Sequence, residues 1–162
     1  MSVAGPDVDL ERVVRLSDFE AIAAERMEPA AFDYVAGGAW DEVSLAEAPE
    51  AWRRTRLRPR VLVDVAEVDA STTLLGAPTA LPVAIAPMAA QGLAHPDAEL
   101  AVARAAASAG VPVVVSTMAT WSLEEIAAAA PDAMRWFQLY TQAESRRTRS
   151  LVDRAAAAGY EA

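Results

Sequence analysis

The chain has 162 residues and a mass of 17.1 kDa, enough for one domain with a sizeable core. Its formal net charge of −9 and pI near 4.6 argue against nucleic acid as a main partner. All 14 basic residues are arginine and cysteine is absent, which excludes a Schiff-base lysine, a disulfide and a thiolate nucleophile. The lack of cysteine fits a cytoplasmic protein, and the long uncharged runs are too interrupted by proline and glycine for a membrane span.

Helical patterns occupy the first part of the chain. Ser17–Glu20 has the spacing of a capping box, and the helix that it opens should end before the next proline. A second helix is predicted over Pro29–Ala36 and ends at two glycines. A third begins near Asp41 and runs into the arginine-dense segment Arg53–Arg60. We therefore expect an N-terminal helical extension over residues 1–60.

Strand patterns follow this extension. Val61–Val68 and Thr72–Leu75 are rich in apolar and β-branched residues, and each predicts a short strand. Gly76–Pro78 is the predicted turn after the second of them. A further buried strand is predicted over Val83–Ile85, followed by a loop of small residues.

From this strand onward, strands and helices alternate, as in a parallel α/β fold. Ser122 opens a second capping box, and Gly110 and Gly159 are placed to end helices. The predicted strands are Val83–Ile85, Val113–Val115 and Arg135–Leu139, and the predicted helices are Asp97–Ala109, Ser122–Ala130 and Glu144–Ala158. The chain stops at residues 160–162, where a fourth strand is expected, so residues 61–162 are predicted to be an incomplete part of a larger α/β fold.

The carboxyl ends of the three strands are candidate binding positions, because active sites of parallel α/β folds collect there. Pro87–Gln91 has small side chains that either admit a flat ligand to the backbone or simply form a tight turn. Ser116 and its neighbour Thr117 either bind a heterocycle or cap the next helix. Gln138 and Tyr140 share one face of their strand, and a buried glutamine requires a partner.

Other polar residues give weaker signals. Tyr34, before two glycines, either binds a carboxylate or packs in the core. His95 precedes a proline at a helix start, so a structural hydrogen bond is favoured over a role as a base. No residue set predicts a metal site, a phosphate loop or a nucleophile triad.

Five segments together resemble the FMN-dependent 2-hydroxy acid oxidase and dehydrogenase family, which includes glycolate oxidase and L-lactate dehydrogenase. In family order they are FDYVAGGAWDE, RLRPRVLVDV, LPVAIAPMAAQGLAHPDAE, VVVSTMATWSLEE and RWFQLY. The resemblance implies a (β/α)8 TIM barrel, with the helical extension and roughly the first three β-α units present here. It also implies FMN as cofactor and oxidation of a small L-2-hydroxy acid to the 2-oxo acid, with two electrons passing to flavin N5.

The resemblance also implies roles for particular residues. Pro87, Met88 and Ala89 would lie along the isoalloxazine ring, with the Ala89 backbone near N5. Ser116 and Gln138 would hydrogen-bond the ring.

Substrate contacts follow from the same resemblance. Tyr34 and Tyr140 would contact the substrate carboxylate or hydroxyl, and Met118 falls where the family varies the wall of the pocket. The family takes its catalytic histidine, its carboxylate-binding arginine and its flavin-contacting lysine from later strands, which are expected beyond Ala162. The isolated chain is therefore expected to be inactive, and the complete enzyme to be a homo-oligomer.

Two alternatives remain at this stage. A half-barrel with open strand edges could associate with a partner chain without catalysis. A different flavin or phosphate-ligand TIM-barrel enzyme would use the same strand ends for another reaction.

Overall fold

The computed structural model describes residues 13–162, and the chain forms two compact units that divide between Ala66 and Glu67. Among the described residues, no helix is long and apolar enough to cross a membrane.

The first unit contains three helices: α1 (Asp18–Arg26), α2 (Pro29–Ala36) and α3 (Val43–Arg54). Pro29 occupies the first turn of α2, where its missing N–H costs nothing, and the three helices confirm the predicted ones to within about two residues. An apolar cleft of about 510 Å³ is lined by side chains of all three helices, including Phe19, Met27 and Phe32.

The capping box predicted at Ser17 is wrong. Ser17 has helical backbone angles (φ −63°, ψ −18°), and its hydroxyl caps no N–H. The N–H groups of Asp18, Phe19 and Glu20 donate instead to the backbone carbonyls of the preceding turn, Arg15, Leu16 and Ser17, at 3.0, 3.2 and 3.3 Å. This turn has therefore taken the donors that the predicted cap would use. The Asp18 carboxylate accepts the N–H groups of Val14 at 3.1 Å and Arg15 at 2.9 Å, ahead of the helix.

The strand predicted over Val61–Val68 is also absent, although its residues are apolar. Asp64 accepts the N–H of Ala66 at 3.0 Å, and Asp69 accepts that of Ser71 at 2.9 Å. These side-chain turns use backbone donors that a strand would need for its ladder, so the segment stays irregular.

The second unit begins with a hairpin of β1 (Thr72–Leu74) and β2 (Ala77–Thr79), paired antiparallel. The predicted turn over Gly76–Pro78 is displaced, because Ala77 and Pro78 already belong to β2. The turn is Leu75–Gly76, with φ of +48° and +88°, the signs that a tight two-residue hairpin turn requires.

The parallel sheet is built from β3 (Val113–Ser116) and β4 (Arg135–Gln138), with Val113 opposite Arg135. On one side the predicted strand Val83–Ile85 is reduced to a single parallel bridge between Ile85 and Val113. Prolines at positions 82 and 87 flank this segment and offer no N–H, so a longer ladder cannot form there.

The other edge of β4 pairs with the last residues of the chain. The Glu161 N–H donates to the Arg135 carbonyl at 2.9 Å, and the Phe137 N–H donates to Ala162 at 2.6 Å. The segment thus lies against β4, where the sequence predicts a fourth strand.

Helices α4 (Ala98–Ala109), α5 (Leu123–Ala129) and α6 (Ser145–Ala157) confirm the three predicted helices. Gly110 ends α4 in the left-handed conformation, with φ of +63°. The unit's core is small and aliphatic, and Ala103, Ala106 and Ile126 are fully buried in it. The arrangement β3–α5–β4 with parallel strands confirms the α/β class.

Arg135, the first residue of β4, bonds the segment that joins α5 to this strand. Its Nη1 donates to the carbonyls of Ala130 at 2.5 Å, Pro131 at 3.2 Å and Ala133 at 2.9 Å, just after α5. Its guanidinium also lies 5.7 Å from the centre of the Tyr160 ring. Burial raises the pKa of the Tyr160 phenol to about 12.

The link between α5 and α6 is an exposed ion pair. Arg154 donates to both carboxylate oxygens of Glu124 at 2.8 Å, and this pairing lowers the pKa of Glu124 to about 2. Because both groups are about half exposed, solvent and salt weaken the pair.

The capping box at Ser122 forms as predicted and gives a direct test. The Ser122 hydroxyl accepts the Glu125 N–H at 3.3 Å, and the Glu125 carboxylate accepts the Ser122 N–H at 3.0 Å. We expect Ser122→Ala to lower the free energy of unfolding by about 1 kcal/mol in urea titrations. The matched control is Ser17→Ala, which removes no cap and should change it by less than about 0.5 kcal/mol. Equal losses in the two variants would contradict this assignment.

Candidate functional site

The carboxyl ends of β3 and β4 meet through a pair of side chains. Ser116 is 5% exposed, and its Oγ donates to Oε1 of Gln138 at 3.1 Å. The same Oγ accepts the backbone N–H of Met118 at 3.1 Å. Within residues 13–162, Nε2 of Gln138 meets no acceptor, so a fixed amide presents a free donor at this edge of the sheet.

Thr117 joins the two loops that leave these strands. Its Oγ1 donates to the Gln138 carbonyl at 2.6 Å and accepts the N–H of Tyr140 at 2.9 Å. The sequence left open whether this hydroxyl caps a helix or binds a heterocycle, and here it bonds the neighbouring strand end instead. The Tyr140 side chain remains 57% exposed above this junction.

The segment Pro87–Ala89 is held against β3 at both of its ends. Upstream, Ile85 donates to the Pro112 carbonyl at 2.8 Å and accepts the Val114 N–H at 2.9 Å. Downstream, the Ala90 N–H donates to the Met118 carbonyl at 3.0 Å. Between these anchors, the N–H groups of Met88 and Ala89 have no acceptor in the described part of the chain.

This segment exposes both flat apolar surface and backbone donors. Pro87 and Ala89 are exposed, and Met88 is 51% exposed. A planar heterocycle with ring carbonyls and nitrogens requires an apolar face and donors along its edge. The residues at these strand ends offer both.

The remaining predicted residues have separate positions. Met118 is 58% exposed directly after β3, beside the Ser116 hydroxyl that its N–H contacts. Tyr34 lies on α2 in the first unit and is 65% exposed. His95 accepts the Asp97 N–H through Nδ1 at 3.1 Å, which agrees with the structural role expected of it.

Sequence reasoning missed two further residues, Glu99 and Thr120. Glu99 is 3% exposed, and its Oε1 accepts the Thr120 N–H at 3.0 Å. Thr120 in turn accepts the Gly92 N–H at 2.9 Å, beside the Pro87–Ala89 segment. The only available signal was one glutamate in an alanine-rich helix, which does not by itself predict burial.

Metal chemistry finds no support in the part of the chain that the structure describes. No group of three or more histidine, cysteine, aspartate or glutamate side chains there is placed to hold an ion.

The FMN-dependent dehydrogenase family model matches residues 23–162. The chain belongs to this family. This confirms the resemblance seen in the sequence, and FMN is the cofactor that the family indicates. The donors and the apolar face at the strand ends suit its ring system.

Curated relatives and solved structures agree with this assignment. The chain is 47% identical over 152 residues to an L-lactate oxidase of Nostoc sp., covering 92% of this chain and 42% of that protein. It is 43% identical over 150 residues to glycolate oxidase 1 of Zea mays, covering 93% of this chain and 40% of that protein.

A crystal structure of mandelate oxidase with 3,3-difluoro-2-hydroxy-3-phenylpropionic acid matches with a TM-score of 0.87 and 44% identity. The match covers 92% of this chain and 44% of that one. The chain therefore spans about two fifths of the length of the curated relatives that it matches.

Proposed function

We propose that this chain forms the amino-terminal part of an FMN-dependent oxidase or dehydrogenase of small L-2-hydroxy acids. The relatives named for lactate, glycolate and mandelate support this substrate class. The observation that carries the proposal is the Ser116–Gln138 pair, which fixes an amide at the end of β4, while β3 also pairs with Ile85, ahead of the exposed Pro87–Ala89 segment. A cytoplasmic location and a homo-oligomeric enzyme remain predictions.

The proposed fold of the whole protein is a (β/α)8 barrel. The parallel pairing of β3 with β4 supports it, as does the pairing of Glu161 and Ala162 along the next edge. In such a barrel the carboxyl ends of all strands surround one site. The proposed division is a helical extension over residues 1–60 and the beginning of the barrel over residues 61–162.

In this proposal the cofactor's ring lies along Pro87, Met88 and Ala89. The free N–H of Ala89 would donate to the ring near N5, and Nε2 of Gln138 would donate to its edge. Ser116 holds the Gln138 amide in the orientation that leaves this donor free. When bound, FMN would supply the two-electron acceptor: the carbon-bound hydrogen and its electron pair would leave the hydroxyl-bearing carbon as a hydride equivalent, the hydroxyl proton would pass to a base, and the 2-oxo acid would form.

The substrate would lie against Tyr140 and Met118, and a contact of Tyr34 with the substrate stays a prediction. A phenol donates a hydrogen bond to a carboxylate or hydroxyl, and Met118 would limit the size of the substrate side chain. We place the base and the carboxylate-binding arginine outside these 162 residues. In support, the one histidine, His95, already uses Nδ1 to hold a loop.

Cofactor binding is tested by titrating the chain with FMN and following flavin fluorescence. We expect Gln138→Leu to weaken FMN binding about tenfold, because one donor to the ring is lost. The matched control is Gln142→Leu, whose amide bonds only the Tyr140 carbonyl and should leave the affinity within about twofold. Equal affinity of both variants and the wild type would contradict the proposed site.

Turnover is tested with lactate, glycolate and mandelate and a dye as electron acceptor. The isolated chain is expected to show none, because proton abstraction and carboxylate binding both lack their groups. Substantial turnover by the chain alone would overturn the assignment of these groups to another segment. A discrete complex with a partner chain on size-exclusion chromatography would favour the non-catalytic alternative.

A further inference from the structure

Glu99 is a buried carboxylate without a cationic partner. It lies in the first turn of α4, is 3% exposed, and forms no ion pair within residues 13–162. Its Oε1 accepts the Thr120 N–H at 3.0 Å, while Oε2 is buried without a hydrogen-bond partner. Burying such a group is costly, so packing alone does not explain a glutamate here.

The hydrogen bonds of Glu99 continue toward the proposed flavin segment. Thr120 receives a bond from Gly92 on its Oγ1 at 2.9 Å, while its own N–H is held by Glu99. Two residues earlier, the Met118 carbonyl accepts the Ala90 N–H at 3.0 Å. Glu99 thus fixes the loop that carries Met118, and this loop in turn holds the end of the Pro87–Ala89 segment.

Backbone conformation shows that this region depends on outside support. Ala90 and Ala98 have φ of +52° and +41°, a left-handed conformation that is strained for a non-glycine residue. Such residues persist only where their surroundings hold them. The bonds through Thr120 and Met118 are the contacts placed to do so.

We propose that Glu99 is a positioning residue, which sets the Pro87–Ala89 segment and Met118 relative to each other through Thr120. Its effect on the flavin rests on the proposed function, because Glu99 itself is not placed against the ring. The carboxylate holds the Thr120 backbone, and the Thr120 hydroxyl then holds Gly92. One residue in α4 would in this way set the positions of both Met118, on the substrate side, and the Pro87–Ala89 segment, on the cofactor side.

The relay is the pair of hydrogen bonds that joins Glu99 to Thr120 and Thr120 to Gly92. Amide hydrogen exchange of the 162-residue chain, measured by NMR, tests it without cofactor. We expect Glu99→Ala to speed exchange of the Thr120 and Gly92 amides about tenfold, while the Val114 and Phe137 amides change by less than about twofold. Glu99→Gln retains an acceptor and should preserve both amides. Glu124→Ala, an exposed carboxylate near the same loop, is the matched control and should leave them unchanged.

A second variant keeps the test decisive if Glu99→Ala does not fold. Thr120→Val keeps the shape and the N–H bonded to Glu99 but removes Oγ1, so only the Gly92 amide should exchange faster. Faster exchange at Thr120 with none at Gly92 in Glu99→Ala, or an equal increase at every amide in Thr120→Val, would overturn the relay.

The link to the cofactor is measured separately by FMN titration. Glu99→Ala is expected to raise the FMN dissociation constant about tenfold, and Glu99→Gln should restore it to within about threefold. If the wild-type chain binds no FMN, the proposed flavin site fails, while the exchange measurement still decides the role of Glu99. Unchanged affinity in Glu99→Ala, with FMN bound by the wild type, would contradict the positioning of the flavin segment.

Discussion

Arg135→Met is expected to lower the free energy of unfolding by about 3 kcal/mol. The guanidinium donates to the carbonyls of Ala130 and Ala133 in buried positions, and to Pro131 nearby. Methionine fills a similar volume but leaves these acceptors without a donor, at about 1–3 kcal/mol for each buried group. The unpartnered Nε of Arg135 disappears in the same change, which offsets part of the loss.

Urea unfolding followed by circular dichroism measures this effect through the midpoint at constant slope. Arg146→Met is the matched control, because its side chain is 83% exposed and bonds only Glu144. The control should change the free energy of unfolding by less than about 0.5 kcal/mol. Arg135→Lys should fall between the two, since an ammonium can reach fewer of the carbonyls than a planar guanidinium. A loss below about 1 kcal/mol in Arg135→Met would show that these carbonyls find other donors.

The helices of this chain could be predicted from sequence because their boundary signals are local. Pro29 and Gly110 fix a start and an end within one residue, and the Ser122 box forms both of its bonds. Ser17 has the same spacing but no cap, because it has helical backbone angles and the carbonyls of residues 15–17 accept the first N–H groups of α1. Identical motifs can therefore differ in outcome when a preceding turn already uses the capping donors.

Strands were harder to predict, since pairing depends on distant partners. Val113–Ser116 and Arg135–Gln138 form because they have each other, whereas Val83–Ile85 keeps a single bridge and Val61–Val68 keeps none. Apolar composition indicated all of these segments equally. The difference lies in prolines and aspartates that remove or divert backbone donors.

The candidate site likewise has one part that the sequence predicts and one part that depends on distant contacts. Strand ends follow from the β-α alternation, so Ser116 and Gln138 could be expected near each other. The link from Glu99 through Thr120 to Gly92 joins α4 to two connecting segments, and no spacing in the sequence predicts it. Contacts between loops are set by tertiary packing, which periodicity does not report.

Gly92→Ala is expected to lower the free energy of unfolding by about 2 kcal/mol, because its Cβ would meet a neighbouring side chain. A methyl group at this position would lie 2.7 Å from Cγ2 and 3.0 Å from Oγ1 of Thr120. Gly92 does not have a positive φ, so backbone strain adds nothing to this cost. Alanine restricts the unfolded chain, which raises the free energy of unfolding by about 0.4–1 kcal/mol. This gain is smaller than the roughly 1–3 kcal/mol that overpacking costs the folded state.

The double variant Gly92→Ala with Thr120→Ser separates the clash from other effects. Serine removes Cγ2, the closest atom, and keeps the Oγ that accepts the residue 92 N–H. The free energy of unfolding of the double variant, measured by urea titration, should fall by at least about 1 kcal/mol less than the sum of the losses in the two single variants. This comparison is a double-mutant cycle. Thr120→Ser alone is the control and should cost less than about 1 kcal/mol. Additive losses would contradict a direct contact between these two residues, and with it the close approach of Gly92 to the loop after β3.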